Sequence, residues 1–141
     1  MRCLLIGICL IGLASGCSSE APFETAPVQG KVLYQGKPLP YGSISFRPQA
    51  GSPAFGKIDR DGTFSLSTYG DRDGAVIGKH EVLITATEAD AGKKVGNAAG
   101  IEMPVTKSMI PEKYASFSTS ELTAEVLTGT NNEFQFNLEA K

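Results

Sequence analysis

The chain contains no tryptophan, one histidine and three cysteines, and all three cysteines fall within its first 17 residues. A single imidazole, His80, excludes any site that needs several histidines. With no tryptophan and few other aromatics, no stacking platform for sugars is visible. Charge of one sign is also missing: 13 basic residues face 15 acidic ones, a formal net charge of −2. Such a balance gives no attraction to a phosphate backbone, so nucleic acid is not an expected partner. A membrane-spanning run is absent as well. The apolar stretch from Leu4 to Leu13 is about half of the roughly 20 residues that a transmembrane helix needs.

That short stretch has a specific context. Arg2 precedes it, the small residues Ala14, Ser15 and Gly16 follow it, and Cys17 opens the polar segment Ser18-Ser19-Glu20. The arrangement resembles a bacterial lipoprotein signal. Such signals usually carry leucine three positions before the cysteine, where this chain has Ala14, with Leu13 one position further back. The resemblance implies that residues 1–16 are removed and that Cys17 is the lipidation site, carrying a diacylglycerol thioether and an acylated amino terminus. Two or three acyl chains, at about 0.8 kcal/mol per buried methylene, anchor a protein durably where one would not. Loss of Cys3 and Cys9 with the signal leaves no pair for an internal disulfide. Ser18, in place of the aspartate that retains such proteins at the inner membrane, implies the outer membrane. Residues 17–27 then form a lipidated tether with Pro22 and Pro27, read as extended linker.

From residue 28 onward apolar side chains recur at every second position, the period of half-buried strands. The runs are Val28 to Tyr34, Ile44 to Phe46, Phe55 to Ile58, Phe64 to Leu66, Val82 to Ala86, Leu122 to Val126 and Phe134 to Leu138. Seven short strands punctuated by Gly, Pro, Asn and Asp predict an all-β fold, a single antiparallel seven-stranded β-sandwich of Greek-key type over residues 28–141. The connection 87–119 lacks alternation, and its part from Thr87 to Ser108 is expected to be mobile and to hold partner-specific contacts. Within it Ile110 to Tyr114 is expected to be ordered and to cover a sheet edge.

Candidate chemistry is sparse. His80 shares parity with Val82 and Ile84 and is therefore expected in the packed face as a structural residue. No nucleophile elbow accompanies it, so no catalytic residue is assigned. Two Asp-Arg-Asp-Gly stretches place Asp59, Asp61, Asp71 and Asp73 where calcium is conceivable, but calcium takes six to eight oxygens and each stretch supplies two carboxylates. Turn formation explains them more simply, and neither a metal nor a cofactor is expected. Lys93 and Lys94 are the weak candidates for partner or headgroup contact, at about 1 kcal/mol per charge near an anionic surface.

The order of Val28-Gln29-Gly30-Lys31-Val32, Gly36-Lys37-Pro38-Leu39, Ile44-Ser45-Phe46-Arg47-Pro48, Asp61-Gly62-Thr63-Phe64, Gly78-Lys79-His80-Glu81-Val82 and Ile110-Pro111-Glu112-Lys113-Tyr114 resembles small bacterial lipoproteins with a carboxypeptidase regulatory-like, or transthyretin-like, domain. The resemblance covers nearly all of the chain after the signal. It implies a prealbumin-like sandwich, a lipid anchor and no established catalytic residues. Hydrolases with a transthyretin-like fold use several histidines and a distinctive C-terminal tetrapeptide, which one histidine and the ending Asn137-Leu138-Glu139-Ala140-Lys141 do not match. The expected function is that of a non-catalytic, lipid-anchored envelope module binding another envelope protein or a polysaccharide. The alternatives are an accessory domain or carrier for a small ligand or polysaccharide, or a weak calcium-binding module.

Overall fold

Residues 23–141 are described by the computed structural model, so the signal segment, Cys17 and the tether as far as Pro22 lie outside the described residues. Among the described residues the fold is all-β apart from one 3-10 turn, Glu112–Ala115. The strands are β1 (Thr25–Ala26), β2 (Val28–Tyr34), β3 (Lys37–Pro38), β4 (Gly42–Pro48), β5 (Ala54–Ile58), β6 (Thr63–Ser65), β7 (Ala75–Val76), β8 (Gly78–Thr85), β9 (Thr87–Gly96), β10 (Glu102–Ser108), β11 (Leu122–Val126) and β12 (Asn132–Leu138). All seven alternating runs lie in or directly beside strands, in β2, β4, β5, β6, β8, β11 and β12. The five further segments are short pairings or solvent-facing strands with no apolar period to betray them.

One sheet has the order β11-β8-β4-β5 and is antiparallel throughout. Its register sets Phe46 opposite Val82 and Ile44 opposite Ile84. In the second sheet β2 is bonded to β12 along its whole length and to β3 and β6 on the other side. A purely antiparallel arrangement was expected, but β12 runs parallel to β2, Asn132 aligning with Val28 and Leu138 with Tyr34. The first and last long strands can run side by side in this way because the whole intervening chain serves as the crossover. Inward and outward parity survive, since parallel ladders keep the two-residue period.

The inner faces of both sheets meet in one core, with Ile44, Phe46, Val82, Ile84 and Val126 from the first and Val28, Val32, Phe64, Phe136 and Leu138 from the second. Phe46 is the bridge. Its ring lies 6.4 Å from Phe64, 5.7 Å from Phe134 and 6.0 Å from Phe136, centre to centre. Each such buried side chain contributes about 1.5–3 kcal/mol. Close packing also fixes Gly30, where an added Cβ would sit 2.0 Å from the Phe134 carbonyl oxygen and 2.8 Å from the Phe64 ring.

The connection 87–119 departs from its expected irregularity. β9 and β10 pair antiparallel from Thr87 opposite Ser108 to Gly96 opposite Glu102, with a bulge between Pro104 and Thr106. The Asn97 side chain closes the tip by accepting hydrogen bonds from the amides of Ala99 and Ile101, both at 3.0 Å. Because this ribbon is exposed on both faces, selection for an apolar stripe is absent and sequence periodicity is silent. Ile110 and Tyr114, by contrast, are buried as expected. The Met109 amide donates to the Ala86 carbonyl just past β8, and the Tyr114 hydroxyl accepts from the Glu139 amide at 3.0 Å. These contacts close the side of the core between β8 and the end of β12.

Candidate functional site

The residues singled out by sequence do not converge. His80 lies in β8, is 2% exposed, and its Nε2 donates to the Val76 carbonyl at 2.6 Å while its ring packs 5.6 Å from that of Phe46. A carbonyl only accepts, so Nε2 carries the proton and Nδ1 is left without a partner. Burial holds the imidazole below its ordinary pKa, against the opposing pull of the Val76 and Phe46 backbone. The histidine is a core residue.

The aspartates are turn residues. Asp61 accepts from the hydroxyl of Thr63 at 2.6 Å and from its amide at 3.2 Å, and these bonds, the hydroxyl's foremost, lower its pKa. Asp73 is opposed by burial, yet three amide donors, Thr68, Tyr69 and Gly70 at 2.7 to 3.0 Å, outweigh it and hold the carboxyl below its usual range. The backbone of Asp59 closes the turn between β5 and β6 through bonds with Gly62 and Thr63, and Asp71 is exposed. Among the described residues no three His, Cys, Asp or Glu side chains come close enough to hold a metal ion. Lys94 pairs with Glu102 at 3.0 Å on the exposed ribbon, and the Lys93 side chain lies outside the described residues. A surface pair of this kind contributes at most about 1 kcal/mol.

What sequence reasoning missed is an open cleft of about 700 Å³ where β4, β8 and β11 approach β12. Its lining includes Arg47, Lys79, Glu81, Thr123, Glu125, the half-buried Phe134 and the almost fully covered His80. The register builds it: Arg47 aligns with Glu81, Glu81 with Thr123, and Lys79 with Glu125. Arg47 holds Glu81 through two guanidinium nitrogens, Nε at 3.0 Å and Nη2, and lies 4.1 Å from the centre of the Phe117 ring. A guanidinium pinned by both a carboxylate and an aromatic face is unusually ordered for a half-exposed side chain. Opposite charges neighbour one another across the strands, Arg47 beside Glu81 and Lys79 beside Glu125. Sequence held a partial signal, since Arg47, Lys79, Glu81, Thr123 and Glu125 all fall on the outward parity of their strands.

No family model matches the chain, and no curated protein matches it. Among solved structures it is similar to a 9R-lipoxygenase from Cyanothece at 12% identity, with a TM-score of 0.36. The match covers 82% of this chain and 16% of the lipoxygenase, so the chain spans about a sixth of that protein.

Proposed function

We propose that this chain is a non-catalytic envelope lipoprotein, anchored through Cys17 to the outer membrane, whose prealbumin-like β-sandwich serves as a binding module. The ordered series of strand and turn motifs supports the family assignment, and two facing sheets around one core support the sandwich. The observation that carries the non-catalytic reading is the state of the titratable groups. The cleft's Arg47 is neutralised by Glu81, and the lone imidazole, at the cleft's wall, is almost wholly covered with Nε2 committed to a carbonyl. A general base needs reach to its substrate, which a 2% exposed ring lacks. Fractionation of the exporting cell tests the anchor: the wild-type chain is expected with the membranes and released by detergent, and Cys17→Ala as precursor or soluble exported protein. Wild-type protein in the soluble fraction would contradict the proposal.

A second reading, a carrier or accessory domain for a small ligand or polysaccharide, is favoured by the cleft itself, whose size is within the range of ligand sites. The calcium reading loses its support because the carboxylates of Asp61 and Asp73 are turned onto backbone amides.

A further inference from the structure

We infer that the outer edge of β12 is a self-association surface, on which a second copy of this chain adds antiparallel through its own β12 to make a closed dimer; this goes beyond the binding-module reading above and stands without the lipid anchor. The argument starts from the direction of the backbone groups. The Asn132 amide donates to the Pro27 carbonyl and the Leu138 carbonyl accepts from the Gln35 amide, so the even-numbered residues of β12 spend their backbone groups on β2. Those of Glu133, Gln135 and Asn137 point the other way. Among the described residues β12 pairs with no strand but β2, which leaves these amides and carbonyls along a free edge.

That edge has defined limits. At one end the Tyr114 hydroxyl takes the Glu139 amide, and at the other the Asn132 side chain bonds to Leu127 and Thr130 in the turn that precedes the strand. The open stretch is 133–137, and its midpoint is Gln135. It also lacks the devices that protect free edges, since no proline, lysine or bulge interrupts it, whereas β3 carries Pro38 and β10 carries Pro104 with a bulge. On the inner side Phe134 shares parity with the buried Phe136 and Leu138 yet stays half-buried, as an inward ring does where the sheet ends beside it.

Self-complementarity selects the occupant. A two-fold axis at Gln135 sets that residue opposite its own copy and Glu133 opposite Asn137, so the facing pairs exchange about six backbone hydrogen bonds. Phe134 then faces Phe136 of the second copy, an aromatic pair of the kind that stabilises neighbouring strands. No like charges meet. A parallel pairing in register would stack Glu133 on Glu133, and a slip of one residue would turn the phenylalanines outward. Each copy spends its only β12 edge on the contact, so assembly stops at the dimer. An unrelated extended peptide would use the same backbone groups, but only a second copy brings an open stretch centred on the same residue.

The test uses the full mature chain in detergent, its mass followed by sedimentation equilibrium with the detergent density-matched. A reversible equilibrium between monomer and dimer is expected. Gln135→Lys and Gln135→Glu, which set like charges opposite one another, are each expected to weaken it at least tenfold, and an equimolar mixture of the two to restore it. Gln135→Pro, whose missing amide faces away from β2, is expected to weaken it at least tenfold with an unchanged circular dichroism spectrum. A photo-cross-linking benzophenone residue at position 135, activated in the exporting cell, is expected to give an adduct of two copies of the chain. A monomer at every concentration, a dimer indifferent to Gln135→Lys and Gln135→Pro, growth beyond the dimer, or an adduct with another protein alone would each overturn the assignment. None of these outcomes bears on lipidation, which fractionation measures separately.

Discussion

Arg47 and His80 show how one sheet separates solvent-facing charge from packing at the level of single side chains. Strand alternation turns Arg47 and Glu81 to solvent and His80 into the core, although Pro48, next to Arg47, is aligned with His80. The buried imidazole makes a pH-dependent contribution with a definite sign. Its pKa is lowered on folding, so below the ordinary value near 6.5 the unfolded chain takes up the proton more readily and stability falls with pH. The slope approaches at most about 1.4 kcal/mol per pH unit. Thermal melts from pH 7.5 to 5 are expected to show this decline in the wild type and to lose it in His80→Phe, which keeps approximate ring volume; parallel profiles would contradict it. Gly30 gives a second test. Gly30→Ala forces a methyl into the Phe134 carbonyl and should lower stability by at least 1–3 kcal/mol in urea unfolding, as overpacking does. The inward parity of His80 was legible from Val82 and Ile84, whereas the Arg47–Glu81 pair was not. It depends on the register of β4 against β8, a long-range property that no local pattern encodes.

At the scale of elements, legibility follows burial. β2, β8 and β12 announce themselves because each must present alternate apolar residues to a shared core, and Phe64 in β6 does the same with one side chain. Phe64→Asp is expected to unfold the domain, since an unpaired buried carboxylate costs several kcal/mol against a total stability of about 5–15. Ser65→Asp, exposed and of opposite parity, should be tolerated. Equal loss of the melting transition in both would refute the inward register. β9 and β10 escaped notice for the converse reason: Val95, Ile101 and Met103 are all more than half exposed, so their placement answers to no core. Shortening the ribbon to a tight turn between Ala89 and Thr106, which are paired across it, should therefore change stability by only about 1 kcal/mol. Tyr114→Ala should behave oppositely and cost about 3–5 kcal/mol, comparable with truncation of other buried aromatics. A destabilising ribbon deletion alongside a silent Tyr114→Ala would reverse that division between packed and free segments.

The whole molecule has two distinct ends. The chain enters the domain through β1, paired with β7 beside the start of β8, and the β9–β10 ribbon leaves from the far end of β8. Ten ribbon residues extend about 30 Å at strand rise, away from the end of β8 beside which the described chain begins. The parallel β2–β12 pair brings the last long strand alongside the first and seals the second sheet. Composition and periodicity made the single all-β unit legible, whereas the crossover that creates this pair depends on the path of the entire chain. The central claim, a module held to a membrane by lipid on Cys17, is most directly tested by the intact mass of the protein purified from its native envelope. The account predicts a chain beginning at Cys17 and carrying the added mass of a diacylglyceryl group and an N-terminal acyl chain. A mature chain of unmodified mass, cleaved within Ala14 to Gly16 or bearing a free Cys17 thiol, would contradict it.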